Sequence, residues 1–357
     1  MDSRRFTRFT AGLAACGALL FAGVAIASDG LSAASAPPSV PAWLFPLNPP
    51  SGKRAADTQA RLRLPGSDAA FSAAQLKNMF DAVDWFPQAH AAMPPIVATG
   101  RAPEVYACGY CHTPSGQGRP ENAALAGLPA AYIVRQVADF KSGARRNAPH
   151  TDAYRPNGLM ITVAERVSDV DLAAAAAYFA AQQLRRRVVV LERTRIPHLT
   201  VVGWVYARAP EAGDEPLGER LIEMMPDAKR HEMRDDSLVY RAYVPPGSIG
   251  RGRRLATGDS ATACTSCHGP ALQGEALAPP LAGRSPSYVM RQLLAFQSGA
   301  RSAPAGKPMQ AVAAPLRIAD MIDLAAYTAS VPLRAPPHAG VRVERAGRAP
   351  QLALSAE

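Results

Sequence analysis

Two short stretches carry the chemistry-bearing residues at the tightest spacing, Cys108-Gly109-Tyr110-Cys111-His112 and Cys264-Thr265-Ser266-Cys267-His268. In the order Cys-x-x-Cys-His, two thiols are spaced to add across the two vinyl groups of one haem, and the next imidazole is placed to ligate its iron. The same thiols would serve two redox dithiols or, pooled, a single zinc site. Neither alternative explains a His directly after each second cysteine.

An internal repeat turns the two motifs into two units. A shift of 156 residues carries Cys108 onto Cys264 and aligns Pro114 with Pro270, Gln117-Gly118 with Gln273-Gly274, and Leu125-Ala126-Gly127 with Leu281-Ala282-Gly283. It also aligns Tyr132 with Tyr288, Arg135-Gln136 with Arg291-Gln292, and Ser142-Gly143-Ala144-Arg145 with Ser298-Gly299-Ala300-Arg301. Further on the shift becomes 149 and pairs Met160 with Met309 and Asp171 with Asp320. Of the ten methionines, only these two align after their own motif. They are expected in Pro- and Gly-containing loops that bring a thioether to the sixth position of an iron, whereas Met290 and Met321, opposite Val134 and Leu172, read as core packing. His90, His150, His198, His231 and His338 do not recur and read as surface or loop histidines.

The elements that must position these groups are mostly helical. Ile133, Val137 and Phe140, like Val289, Leu293 and Phe296, are spaced for one helix face, and Gly143 and Gly299 stand where those helices stop. Ser168-Asp169-Val170-Asp171 reads as a capping box. The second unit has Arg317 in place of the capping Ser, so its helix start is expected to be less well fixed. Residues 28–95 form a Pro-rich extension with one helix expected from Ser72 to Trp85, either a strap on the first unit or a docking arm. Residues 184–247 form a connector with two or three short strands expected, Val188–Val190, Leu199–Tyr206 and Leu238–Val244, in one small sheet laid across both units. The fold class is mainly α: two haem domains, 96–183 and 248–333, a long connector with a few strands, and a tail, 334–357.

Composition narrows the rest. The chain has 357 residues, 48% hydrophobic and 19% charged, which excludes a wholly disordered or collagen-like protein. Arg4, Arg5 and Arg8 before the apolar run Ala11 to Ala27, ending in Ala25-Ile26-Ala27, read as a secretory signal cleaved after Ala27. An uncleaved membrane anchor is the alternative. Cleavage lowers the formal charge from +10 to +8 and removes Cys16, the fifth cysteine, so every mature cysteine belongs to a haem motif. The basic balance alone does not indicate nucleic acid, which is not expected as a partner.

On these motifs, with the Tyr-x-x-Arg-Gln-x-x-x-Phe-x-Ser-Gly-Ala-Arg stretch and the final helices ending near Tyr178 and Tyr327, both halves resemble class I c-type cytochrome domains. Their tandem layout is that of dihaem electron-carrier cytochromes. The resemblance implies two covalently attached haem c groups, His112 with Met160 and His268 with Met309 as axial pairs, and a residue after each His whose carbonyl orients it, expected at Ala124 and Pro280. Arg145 and Arg301, with Tyr132 and Tyr288, are candidates to hold the propionates of the haems; the competing reading is a solvated surface Arg.

The function this implies is periplasmic outer-sphere electron transfer. The partners are redox proteins, namely a dehydrogenase, an oxidase or another cytochrome, with peripheral membrane association as an option. The alternatives are a dihaem enzyme, of peroxidase or sulfur-compound dehydrogenase type, and a cytochrome subunit of a dehydrogenase complex. Paired methionines leave no iron position for peroxide, and no mature cysteine is spare to ligate a sulfur-oxidising haem.

Overall fold

The structure is a computed structural model and describes residues 40–49, 60–149, 151–258, 263–275 and 278–333. The signal segment, the tail from 334, His150 and His338 lie outside the described residues. Among the described residues no helix is long and apolar enough to cross a membrane.

In the first half, α1 (Pro95–Ala98), α2 (Cys108–His112), α3 (Ala130–Lys141), α4 (Arg155–Arg166) and α5 (Asp169–Ala180) surround one core. Ile133, Val137 and Phe140 are the buried stripe of α3, which ends at Gly143 with φ +77°, a left-handed turn that glycine adopts without penalty. The Oγ of Ser168 accepts the Asp171 N–H at 3.1 Å and starts α5 as the capping box predicts.

The connector carries far more strand than its sequence suggests. It contains β3 (Val188–Glu192), β4 (Arg195–Pro197), β5 (Leu199–Val202), β6 (Val205–Arg208), β7 (Asp214–Pro216), β8 (Ile222–Met225), the helix α6 (Ala228–Glu232) and β9 (Tyr240–Val244). Five strands form a mixed sheet in the order β3-β9-β8-β6-β5, and β4 pairs with β7. The stretch from Leu199 to Tyr206 is a hairpin that turns at Gly203-Trp204, both with positive φ. β8 has no alternation to betray it because all four of its residues are buried.

The sheet ties both halves together. Arg187 Nη1 donates to the Gly118 carbonyl of the first half at 2.7 Å. Glu223 on β8 accepts from Ser285 Oγ at 2.6 Å and from the Ser287 N–H at 3.1 Å at the start of the main helix of the second half.

That second half consists of α7 (Ser248–Thr257), α8 (Cys264–His268), α9 (Pro286–Gln297), α10 (Lys307–Ala313) and α11 (Ile318–Ser330). Val289, Leu293 and Phe296 are buried on α9, and Gly299 follows with φ +74°. At Arg317 a carboxylate replaces the missing hydroxyl. Asp320 accepts the Arg317 N–H at 3.0 Å and binds its Nη2 at 2.9 Å, so this start is fixed after all. α7 and α11 approach so closely that a Cβ on Gly252 would stand 1.9 Å from the Asp323 carbonyl oxygen.

The extension departs from expectation. Ser72 and Gln75 exchange two capping bonds, 2.9 and 3.2 Å, yet only a single turn of 3-10 helix follows, Gln75–Lys77, behind a two-residue ribbon of β1 (Arg61–Leu62) and β2 (Phe71–Ser72). Asn78 ends it, because its side chain takes the Phe80 N–H that a continuing helix would need. Leu76, Val83 and Trp85 instead bury together against Met233 of the connector, where Trp85 Nε1 donates to the Met233 carbonyl at 2.7 Å. Residues 42–45 reach the second half, with Leu44 in its core.

Candidate haem-binding sites

Each half folds around one large cavity. The first holds about 1430 Å³ of empty space and is lined by Cys108, Cys111, His112 and Met160; the second holds about 2130 Å³ and is lined by Cys264, Cys267, His268 and Met309. Both figures include space open to solvent. The predicted metal and tether residues of each half therefore share one cavity, and the two sets are separate.

That arrangement removes the pooled zinc reading. Among the described residues no three His, Cys, Asp or Glu side chains gather as a metal cluster. A redox dithiol is disfavoured by electrostatics. Burial, then Cys111, pushes the Cys108 thiol up to about 12, and burial also raises Cys111 and Cys264, whereas reactive thiols are held low.

The histidines are fixed in the state an iron ligand needs. His112 Nδ1 lies 2.8 Å from the Ala123 carbonyl oxygen and His268 Nδ1 lies 2.7 Å from that of Pro279. A carbonyl only accepts, so Nδ1 carries the proton and Nε2 keeps its lone pair. Burial holds both imidazoles below their ordinary pKa and hence neutral.

The orienting carbonyls come from the residues before Ala124 and Pro280, a correction to the sequence expectation. The carbonyls of Ala124 and Pro280 serve Arg284 instead, whose Nη1 and Nε donate to them at 2.6 and 2.8 Å. Arg284 thus clamps the two His-supporting loops to each other. Its counterpart by repeat register is Leu128, which is why the repeat gave no hint of it. Burial brings this guanidinium down to about 10.

The methionines are corrected in setting. Met160 is on α4 and Met309 on α10, not in loops. Pro156 and Pro308 occupy the first turns of these helices, where a missing N–H costs nothing. They were start signals rather than loop signals.

The predicted anion-binding residues are present but shared. Leu128, Tyr132, Gln136, Tyr288 and Gln292 line both cavities, and Arg145 and Arg301 line the first and second respectively. Arg145 Nη2 donates to Tyr288 Oη at 2.9 Å, so this arginine uses the tyrosine of the other half. Both arginines are buried, at 7% and 9% exposure, so the solvated-surface reading fails. Neither has a carboxylate ion pair among the described residues. Burial and then Arg145 lower the pKa of Arg301. Burial alone would raise Tyr288, but Arg145, Arg301 and Arg284 outweigh it and hold the phenol below its usual value. Adjacent buried cations without a carboxylate fit cavities that receive an anionic cofactor such as the dicarboxylate haem.

Gln136 and Gln292 were visible in the repeat without a role, and here they bridge the two arginines. Among the remaining histidines, His231 is not on the surface. It is 1% exposed on α6, with Nδ1 3.0 Å from Tyr240 Oη and Nε2 against Arg119.

The chain is similar in sequence to known cytochromes. Residues 251–332 match the family model described as Cytochrome c. Cytochrome c4 of Pseudomonas aeruginosa is 30% identical over 243 residues, which is 67% of this chain and 89% of that protein. The thiosulfate dehydrogenase electron acceptor of Stutzerimonas stutzeri is 28% identical over 235 residues, 65% of this chain and 82% of that protein. A crystal structure of reduced recombinant cytochrome c4 from Pseudomonas stutzeri is 24% identical, covering 63% of this chain and 93% of that one, with a TM-score of 0.41. The chain belongs to the tandem dihaem c-type cytochromes, in the family of cytochrome c4. Members carry covalently bound haem c and transfer electrons.

Proposed function

We propose that residues 96–183 and 248–333 each hold one haem c. Cys108 and Cys111 tether the first and Cys264 and Cys267 the second. His112 with Met160, and His268 with Met309, would ligate the two irons. The carrying observation is that each half places its cysteines, its His with a free Nε2 and its aligned Met on one cavity. Haem c supplies a one-electron ferric/ferrous couple when bound. The chain's own part would be to supply a His and a Met to each iron, to bury the site in apolar side chains, and to offer Arg145 and Arg301 to the carboxylates; a Met thioether and burial both favour the reduced state.

With protein ligands on both faces, the chemistry left is outer-sphere transfer, and an electron carrier in the periplasm is the reading these sites support. A mass spectrum of the purified holoprotein should show two haem adducts, and its oxidised spectrum should show two low-spin centres with a far-red sulfur-to-iron band. A high-spin or bis-His centre would contradict the paired methionines.

The name of one relative favours a specific partner class. The electron donor is a dehydrogenase that oxidises an inorganic sulfur compound, and this chain is its acceptor rather than the catalyst. Mixing the oxidised holoprotein with thiosulfate should leave it oxidised until such a dehydrogenase is added. Reduction by thiosulfate alone would favour a catalytic role.

A further inference from the structure

The two loops that support the histidines are built alike. In the first, the Ala123 carbonyl accepts the His112 ring N–H at 2.8 Å, and the N–H groups of Leu125 and Ala126 donate to the Gly116 carbonyl at 2.8 and 2.9 Å. In the second, the Pro279 carbonyl accepts the His268 ring N–H at 2.7 Å, and the N–H groups of Leu281 and Ala282 donate to the Leu272 carbonyl at 2.9 and 3.1 Å. One residue breaks the repeat at this point, Arg284, which stands where the first half has Leu128.

All three guanidinium nitrogens of Arg284 meet backbone carbonyls. Nη1 donates to Ala124 at 2.6 Å and Nη2 to Ala126 at 3.2 Å in the first loop, and Nε donates to Pro280 at 2.8 Å in the second. In each loop the guanidinium thus holds the carbonyl directly after the one that accepts from a histidine. Arg284 is 5% exposed and has no carboxylate ion pair among the described residues. Burial brings it down to about 10, so it is still a cation at neutral pH. A buried cation without a carboxylate is costly, and the buried Leu128 shows that an apolar side chain fills the matching position of the first half. What a guanidinium adds is a rigid planar fork of donors, able to hold several carbonyls at fixed distances from one another.

We propose that Arg284 is a positioning residue for both histidines at once: one side chain fixes the two supporting loops against each other, so the hydrogen bonds on His112 and His268 tighten or slacken together. The bond at Nδ1 sets the basicity that the imidazole presents at Nε2, and a stronger bond favours ferric iron. Both redox centres are therefore tuned from the histidine side by a single residue that the repeat does not contain. The proposal rests on the two-haem reading above. A contact that merely joined the halves would leave the ring protons and the potentials unchanged.

A mass spectrum of the holoprotein is read first. A single haem adduct would defeat the two-haem reading and this proposal with it, whereas two adducts with ring protons that respond independently would defeat the proposal alone. Arg284→Lys keeps the charge and loses the fork, and Arg284→Leu copies the first half. In the ferrous protein, the ring N–H protons of His112 and His268 should both exchange with deuterium about tenfold faster in either variant, the scale of one net hydrogen bond, while amides in the middle of α3 and α9 keep their rates. In Arg284→Lys both potentials should rise, because the charge is retained and both Nδ1 bonds are weaker. Acceleration at one histidine only, at neither, or throughout both cores would overturn the proposal, as would a potential that stays at its wild-type value. Wild type supplies a check that needs no variant. The two ring protons belong to the same chemical group, so release of a shared clamp predicts exchange rates within about threefold of each other, and a wider separation would refute it.

Discussion

Arg145 and Arg301 face each other in an antiparallel bridge between the two halves, and each guanidinium reaches the glutamine of the other half, Gln292 at 3.0 Å and Gln136 at 2.6 Å. Flanking bonds of 2.8 Å, from the Arg146 N–H to Ala300 and from the Ser302 N–H to Ala144, lock the register. The repeat thus becomes an approximate two-fold arrangement whose centre is positively charged and buried.

Because the two arginines are pooled, removing either should affect both redox centres. Arg145→Gln or Arg301→Gln withdraws a cation that favours the reduced state. Both potentials should fall, the larger change being about 60 mV, equivalent to ~1.4 kcal/mol for one electron. A redox titration checks this; a change confined to one haem would mean that each arginine serves its own half alone.

The methionines should behave in the opposite way, each independently. Met160→Ala and Met309→Ala should each lower one potential by on the order of 100 mV, within the ~0.8 V range that axial ligands command, and halve the far-red band. Spectroelectrochemistry of the two variants and their combination tests whether the effects add.

Gly252 is predicted to be intolerant of a side chain. With the Asp323 carbonyl 1.9 Å and Tyr327 Cβ 2.9 Å from its would-be Cβ, Gly252→Ala must push α7 off α11. A loss of about 3 kcal/mol or more is expected, at the upper end of overpacking. Denaturant unfolding, followed through the far-red band, should show the second half failing at lower denaturant than in wild type.

His231 should make the fold acid-sensitive. Burial, then the repulsion of Arg119, Arg234 and Arg187, hold its pKa well below the usual value. The native state therefore refuses a proton that the unfolded chain accepts. Its contribution is complete above about pH 6.5 and declines as pH falls below it, by up to ~1.4 kcal/mol per unit. Thermal unfolding of wild type and His231→Gln between pH 7.5 and 5 should show the steeper loss in wild type.

That the cysteines, the histidines beside them and the aligned methionines of each half gather on one cavity was legible because the duplication printed their types and spacing twice. Helix faces and stops were legible for the same local reason: Ile133, Val137, Phe140 and Gly143 act within a few residues of one another. The connector was not. β8 pairs with β6 and β9, and its uniformly buried residues answer to partners brought together only by folding. The helix expected over Ser72 to Trp85 was lost to burial against Met233, a contact nearly 150 positions away in the chain.

What the sequence by itself determined, then, is the inventory of each cavity: two cysteines, the histidine that follows them, an aligned methionine and the duplicated helices that carry them. Tertiary structure decided how the sites relate. It pooled Arg145 and Arg301 and placed the unrepeated Arg284 between the two His-supporting loops. Such choices depend on charge, burial and close approach between segments distant in the chain, and local spacing cannot encode them.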